Sequence, residues 1–229
     1  MRLYPFFLLI CSFSCYAFEV QPMIAELKTS GSSSKLTYQV SNPDDKPTPL
    51  EVVIYKRDFN EGGQEVLIPA EQDFMLFPPQ IEIPARGTQV FRAQYIGNSL
   101  EESTSYRIVF KQLPIAETDE SSKISMLFHF ATLVFVSPER SQAILAQSLD
   151  CNSTARCQLN IENTGNGVLD LSYSQLTSPD SPPIKWQDLK EQAGKTFLLP
   201  RQQITFNLEQ FKNIKKPTTN LIFKTKNEI

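Results

Sequence analysis

One segment constrains this chain more than any other. It is Ile124-Ser-Met-Leu-Phe-His-Phe-Ala-Thr-Leu-Val-Phe-Val136, thirteen residues without glycine, proline or formal charge. Ile124, Met126, Phe128 and Phe130 recur at period 2, so an extended backbone projects all four from one face. The opposite face starts with Ser125, Leu127 and His129, and both faces turn apolar from Leu133 to Val136. At ~3.3 Å per residue the segment spans ~43 Å as a strand, where about 5–6 residues is usual. Two readings fit the pattern: a core strand of a β-sandwich, or a strand offered to another chain. An apolar strand of this length pairs with foreign edges unless the protein manages that pairing.

The remaining sequence reads as all-β. Short alternating stretches are separated by Pro, Gly, Asn, Asp and Ser, and no helical period is sustained for long. Strands are expected at Glu19–Lys28, Lys35–Ser41, Leu50–Tyr55, Gln80–Ile83, Thr88–Tyr95, Ser105–Gln112 and Ile124–Val136. Seven is the count of an immunoglobulin-like sandwich. The proline-broken Phe74-Met-Leu-Phe-Pro-Pro79 suits an edge or a loop. A second run follows, with strands expected at Ala143–Ser148, Gln158–Glu162, Val168–Tyr173, Thr196–Leu199, Ile204–Leu208 and Asn220–Thr225. Asn163-Thr-Gly-Asn-Gly167 is a turn signal. The boundary between the halves falls near Ser137–Ser141, giving domains at 18–138 and 139–229. Each half has the size of one small sandwich.

The first residues read as an export signal. Met1-Arg2 is positive, Leu3 to Phe13 is apolar, and Cys15-Tyr16-Ala17 supplies small residues for cleavage after Ala17. The run is too short for a membrane span. Only Cys151 and Cys157 then remain in the exported chain, flanking a turn-like Asn152-Ser-Thr-Ala-Arg156. In an oxidising compartment this spacing predicts a local disulfide. A metal or redox pair needs further ligands or a C-x-x-C spacing. The chain carries 22 basic and 25 acidic residues, a formal net charge of −3, which argues against nucleic-acid binding.

Catalytic signals are close to absent. His129 is the sole histidine, which leaves no multi-histidine metal site, and it sits inside the alternating segment without a nucleophile motif. No G-x-S-x-G, P-loop or G-x-G-x-x-G occurs. No cofactor is implied. Asn152-Ser-Thr154 matches a glycosylation acceptor, a pattern common by chance. Trp186 is the single tryptophan, so the exposed aromatic cluster of a carbohydrate-binding module is missing. A non-enzymatic binding or assembly role is the expectation, with a structural or adhesive subunit of a surface fibre as the alternative.

Spread over most of the chain are phrases that resemble the periplasmic chaperones of the chaperone–usher pilus pathway, the PapD-like family. They are Gln39-Val-Ser-Asn-Pro43, Pro78-Pro-Gln-Ile-Glu-Ile-Pro84 with Gly87 and Val90-Phe-Arg92, and Tyr106-Arg-Ile-Val-Phe-Lys-Gln-Leu-Pro114. The alternating strand closing on Phe135-Val-Ser-Pro138 follows, then Asn160-Ile-Glu-Asn-Thr-Gly-Asn166 and Phe197-Leu-Leu-Pro200. The Tyr106–Pro114 phrase is closer to divergent branches of the family. The resemblance implies two immunoglobulin-like domains in a boomerang arrangement, located in the periplasm. It also implies pilus or fimbrial subunits and an outer-membrane usher as partners, and no membrane insertion. The last strand of the first domain is then lent to an incomplete subunit, a form of β-strand addition. The implied donor residues are Ile124, Met126 and Phe128, with Phe130 continuing the row. Typical members hold the subunit's terminal carboxylate with an Arg on the first strand and a Lys near the end of the donor strand. Here Phe18–Leu27 has no basic residue and the donor-strand position is Leu133. Arg107, Lys111 and Lys28 are the candidate replacements, Arg107 first because its strand is expected beside the donor strand. An ordinary surface role for Arg107 fits equally.

Overall fold

The computed structural model describes residues 17–115, 126–153, 156–178, 181–210 and 222–224. The export-signal reading of residues 1–16, and Ile124 of the implied donor row, lie outside the described residues. In the first half the strands are β1 (Glu19–Gln21), β2 (Ile24–Lys28), β3 (Lys35–Ser41), β4 (Thr48–Phe59), β5 (Glu65–Pro69), β6 (Phe74–Phe77), β7 (Gln80–Ile83), β8 (Thr88–Tyr95), β9 (Thr104–Gln112) and β10 (His129–Ser137). They form two sheets, β1-β3-β8-β6 and β2-β10-β9-β4-β5, with β7 paired to β4. Alternation explains how they meet: Tyr38 and Val40 of β3, Leu50, Val52 and Ile54 of β4, Phe91 of β8 and Ile108 and Phe110 of β9 all point inward and are buried. Tyr38 and Phe91 both meet Phe110 edge to face.

Several expectations are corrected by this arrangement. The single strand expected at Glu19–Lys28 is two. β1 pairs with β3 in one sheet, and after Pro22 the chain crosses so that β2 runs parallel to β10 in the other. β4 extends to Phe59, beyond the expected Tyr55, because its far end is held by β5 through pairs such as Tyr55↔Pro69 and Phe59↔Glu65. Nothing in the alternation announced β5, whose five residues are all exposed. The long strand expected from Ile124 is laddered from His129 among the described residues, because β9 ends at Gln112, whose N–H still reaches the Phe128 carbonyl. Phe74–Phe77 is an edge strand, as its prolines require.

The second half contains β11 (Leu145–Ser153), β12 (Arg156–Asn163), β13 (Leu169–Asp170), β14 (Gln175–Ser178), β15 (Ser181–Lys185), helix α1 (Trp186–Ala193), β16 (Phe197–Leu198), β17 (Gln203–Asn207) and β18 (Ile222–Lys224). A second core gathers Leu159, Ile161, Leu171, Trp186, Phe206 and Phe223. The strand expected over Val168–Tyr173 shrinks to Leu169–Asp170, and α1 was not anticipated. The helix is eight residues long and buries Trp186, Leu189 and Ala193 on one side. Gly194 ends it at φ 69°, its N–H returning to the Lys190 carbonyl, which is the left-handed stop that glycine accommodates best. The β11–β12 hairpin pairs Cys151 with Cys157, and the two form the expected disulfide.

One buried device occurs twice. The Asn42 amide donates to the Lys46, Ile83 and Pro84 carbonyls, and its backbone N–H to Gly87. The Asn163 amide donates to the Gly167 and Leu198 carbonyls, and its backbone N–H to Gln202. Both asparagines fasten the end of one strand to the turn before another. In each turn an arginine takes positive φ, Arg86 at 56° and Arg201 at 63°.

The two halves touch through specific bonds. The Ser103 N–H and hydroxyl donate to the Asn166 carbonyl at 2.9 and 3.0 Å, and the Asn166 amide reaches the Glu101 and Arg140 carbonyls. Within the second half, Gly165 lets the Asn163–Gly167 turn sit on the incoming chain, since a Cβ there would stand 2.1 Å from the Gln142 carbonyl oxygen. Lys28 donates to Ser141, and Phe135 of β10 packs on Phe197 with ring centroids 5.0 Å apart.

Candidate functional site: the open half of the last strand

β10 is paired unequally along its length. On one side β9 runs antiparallel to it from Lys111↔His129 to Thr104↔Val136. On the other side β2 covers only Leu133 to Ser137, the last bond running from the Leu133 N–H to the Met23 carbonyl. From His129 to Thr132 that second edge has no strand against it among the described residues. Half the strand therefore presents unpaired backbone donors and acceptors, a template for a further strand.

The inward row of β10 grades along the same direction. Val136, Val134 and Thr132 are fully buried. Thr132 is fixed twice, by the Tyr38 hydroxyl at 2.8 Å and by its own bond to the Ile108 carbonyl at 3.0 Å. Burial pushes the Tyr38 phenol well above its ordinary pKa, so it stays a neutral hydroxyl there. Phe130 and Phe128 are half-buried at the rim of the core, Phe130 edge-on to Phe18 at 4.8 Å. Met126 is 66 % exposed. The row read from the sequence as one uniform face is thus divided: Phe128 and Phe130 also pack on the chain's own core, while Met126 projects beyond it. Exposed Met23 and Ile24 flank the point where the covered half meets the open half.

The outer face of the same sheet carries charge. Leu133 stands between Ile24 of β2 and Arg107 of β9. Arg107 lies one strand away. Its Nε and one terminal nitrogen donate to Glu65 at 2.9 and 3.0 Å. Arg57 also donates to Glu65 through Nε, at 2.8 Å. The Arg107 bond, reinforced by Arg57, holds the Glu65 carboxyl below its usual pKa despite partial burial. Lys111 donates to the Tyr55 hydroxyl at 3.2 Å and lies over that ring. Lys28 is placed elsewhere: its ammonium bonds Ser141 and faces Glu26 at the junction of the two halves. Sequence reasoning named Arg107, Lys111 and Lys28, and missed Arg57, Glu65 and Lys195. The only available signal was the alternation of Tyr55, Arg57 and Phe59, masked by Lys56 and Asp58.

Fold and edge together define a two-domain immunoglobulin-like protein whose final strand in the first sandwich has, among the described residues, one edge open along half its length. Residues 20–142 match the family of pili and flagellar-assembly chaperones, at the PapD N-terminal domain, and the chain belongs to that family. It is a pilus-assembly chaperone of PapD-like type and not a subunit of the fibre. Its fold is similar to the class 5 fimbriae chaperone CfaA, with TM-score 0.61 and 14% identity over 91% of this chain and 98% of that one. A chain of the CsuC–CsuE chaperone–tip adhesin complex from the archaic Csu pili of Acinetobacter baumannii gives 0.56 and 15%, over 91% and 98%. A chain of the Salmonella enterica SafA pilin–SafB chaperone complex gives 0.57 and 14%, over 87% of each. At such identities the likeness carries the fold. No curated protein sequence is similar to this one. Among the described residues no helix is long and apolar enough to cross a membrane.

Proposed function

We propose that this protein captures incomplete pilus or fimbrial subunits in the periplasm by lending them the open half of β10, and passes them to an outer-membrane usher. The observation that carries the reading is the edge from His129 to Thr132 that no strand covers among the described residues, continued by an inward row that leaves the chain's own core at Met126. A subunit strand added to this edge gains main-chain hydrogen bonds, and its groove receives Met126 with the outer parts of Phe128 and Phe130. Ile124 belongs to the same row by its period-2 position. Each such side chain, once fully buried, contributes roughly 1.5–3 kcal/mol. Arg107 and Lys111 supply positive charge on the face turned to the subunit, while Lys28 serves the junction of the domains, which meet at Pro138–Glu139. The protein acts by binding alone, without a catalytic step; His129, exposed on the lent strand, is a contact residue in this scheme. Cleavage after Ala17 and oxidation of Cys151 and Cys157 accompany export.

Co-expression with the small secreted β-rich proteins encoded beside it tests the reading. One of them is expected to co-purify in a one-to-one complex. Recovery of the chaperone alone from every such pairing would overturn it.

A further inference from the structure

The sheet that carries β10 has a second open edge on its far side. β5 ends the sheet there, and all five of its residues are exposed, with Val66, Leu67 and Ile68 in succession at 41–45%. Proteins usually guard a terminal strand of this kind with a lysine, a bulge or a covering loop. The bonds of the hairpin fix which groups look outward. The Asn60 N–H donates to the Gln64 carbonyl and the Ala70 N–H to the Ile54 carbonyl, at the two ends of the β4–β5 ladder. Antiparallel bonding alternates, so Val66 and Ile68 also turn their N–H and C=O groups to β4, while Glu65, Leu67 and Pro69 turn theirs away. Pro69 offers a carbonyl only. Lys56 and Asp58, both exposed, stand opposite Ile68 and Val66. The Glu65 carboxylate accepts from Arg57 and Arg107, so the one charge on β5 is already neutralised.

We propose that β5 is the docking edge for a second copy of this chain, each β5 pairing antiparallel with its counterpart about a two-fold axis through Leu67. With Leu67 facing itself across the axis, that pair exchanges both of its hydrogen bonds, and each Glu65 N–H reaches the Pro69 carbonyl opposite. Every outward N–H of β5 then has an acceptor in spite of the proline. Val66 lies against Ile68 in both directions at the close, non-hydrogen-bonded spacing. Each row on that face of the joined sheet reads Asp58, Val66, Ile68, Lys56, so opposite charges flank the apolar contact. An axis through Val66 would instead set Ile68 against Gln64 and close the Val66 row with an aspartate at both ends. The strip is short beside the ~1,600 Å² of a stable interface, so the dimer is one that dissociates on dilution. It uses the edge opposite β10 and does not rest on the chaperone reading.

Sedimentation equilibrium of the whole chain, from ~1 μM to ~1 mM, is expected to show a reversible monomer–dimer equilibrium. Val66→Lys sets an ammonium beside Asp58 of the same hairpin, which the monomer accommodates, and against Ile68 of the copy in the dimer. Association is expected to weaken at least about tenfold. Pro69→Val supplies the missing donor to each Glu65 carbonyl and is expected to strengthen association about tenfold. Leu67→Cys is expected to give a disulfide-linked dimer on oxidation, because the residue faces itself at ~5.5 Å between Cα atoms, while Thr37→Cys on the other sheet is not. A chain that stays monomeric throughout, a dimer that Val66→Lys leaves unchanged, or the absence of the Leu67→Cys cross-link overturns the proposal. Met126→Asp is expected to leave the dimer intact. Loss of the dimer in that variant and not in Val66→Lys would put the contact at the open half of β10, and overturn the proposal as well.

Discussion

Arg107 stands directly opposite Leu133 in the β9–β10 ladder. At this level the cation belongs to β9, while β10 carries no acidic side chain and no basic one besides His129. The charge beside β10 is then carried by a residue that the chain already holds in place through Glu65.

Met126→Asp is the cleanest probe of the lent row, because Met126 is exposed and contributes little to the chain's own core. The variant is expected to fold as the parent does and to lose subunit capture at least about tenfold, the loss of roughly 1.5 kcal/mol or more of apolar burial. Quantitative co-purification measures it; undiminished capture would return the strand to an ordinary core role. Phe128→Asp tests binding and folding together, since that side chain rests on the core rim.

Thr132→Val should destabilise the first domain by about 1–3 kcal/mol without changing its shape. The fully buried Tyr38 hydroxyl loses its partner. Urea unfolding followed by far-UV circular dichroism reads the effect. A variant as stable as the parent would mean that Tyr38 finds another partner.

Glu65→Gln should lower stability by about 1–2 kcal/mol at neutral pH, as two guanidiniums lose one carboxylate. The folded Glu65 has a lowered pKa, so its contribution is present above the unfolded value near 4.3 and is lost as pH falls through the folded value. The gap between parent and variant is therefore expected to close below about pH 4. Denaturation midpoints taken across that range decide the point, and a gap independent of pH would exclude the ion pairs as its source.

Replacing Cys151 and Cys157 together by Ser should cost the second domain about 2 kcal/mol, the chain-entropy value for so short a loop. Trp186 lies buried in that core and is the single tryptophan, so its fluorescence reports the second domain alone. Asn163→Ala is expected to cost more, about 3 kcal/mol or above, because it strands the Gly167 and Leu198 carbonyls and two N–H groups at once. An asparagine variant milder than the disulfide variant would contradict that order.

Much of the fold was legible because alternation is a local property. Lys35–Ser41, Gln80–Ile83 and Thr88–Tyr95 are strands at the expected bounds, since each carries its own inward row. The phrases that carried the family resemblance also have a physical basis. Ser41-Asn42-Pro43 and Glu162-Asn163-Thr164 contain the two asparagines that fasten a strand end to a turn, a repeat invisible as sequence identity. β5 was illegible because an edge strand exposed on all its residues needs no apolar period. Helix α1 was illegible because eight residues hold only three buried positions.

By itself the sequence determined which residues alternate, where the chain turns and which two cysteines could meet, because these depend on near neighbours and on stereochemistry. Only the tertiary structure decided which edges stay open. The crossing of β1 into β2 covers β10 from Leu133 onward and, among the described residues, leaves that edge open from His129 to Thr132. Tertiary packing likewise drew Arg57, Glu65 and Arg107 to one face from three strands and brought Lys195 to it from the other domain. Both outcomes depend on pairing between distant segments, whose hydrogen bonds are indifferent to side chains and leave no period in the sequence to read.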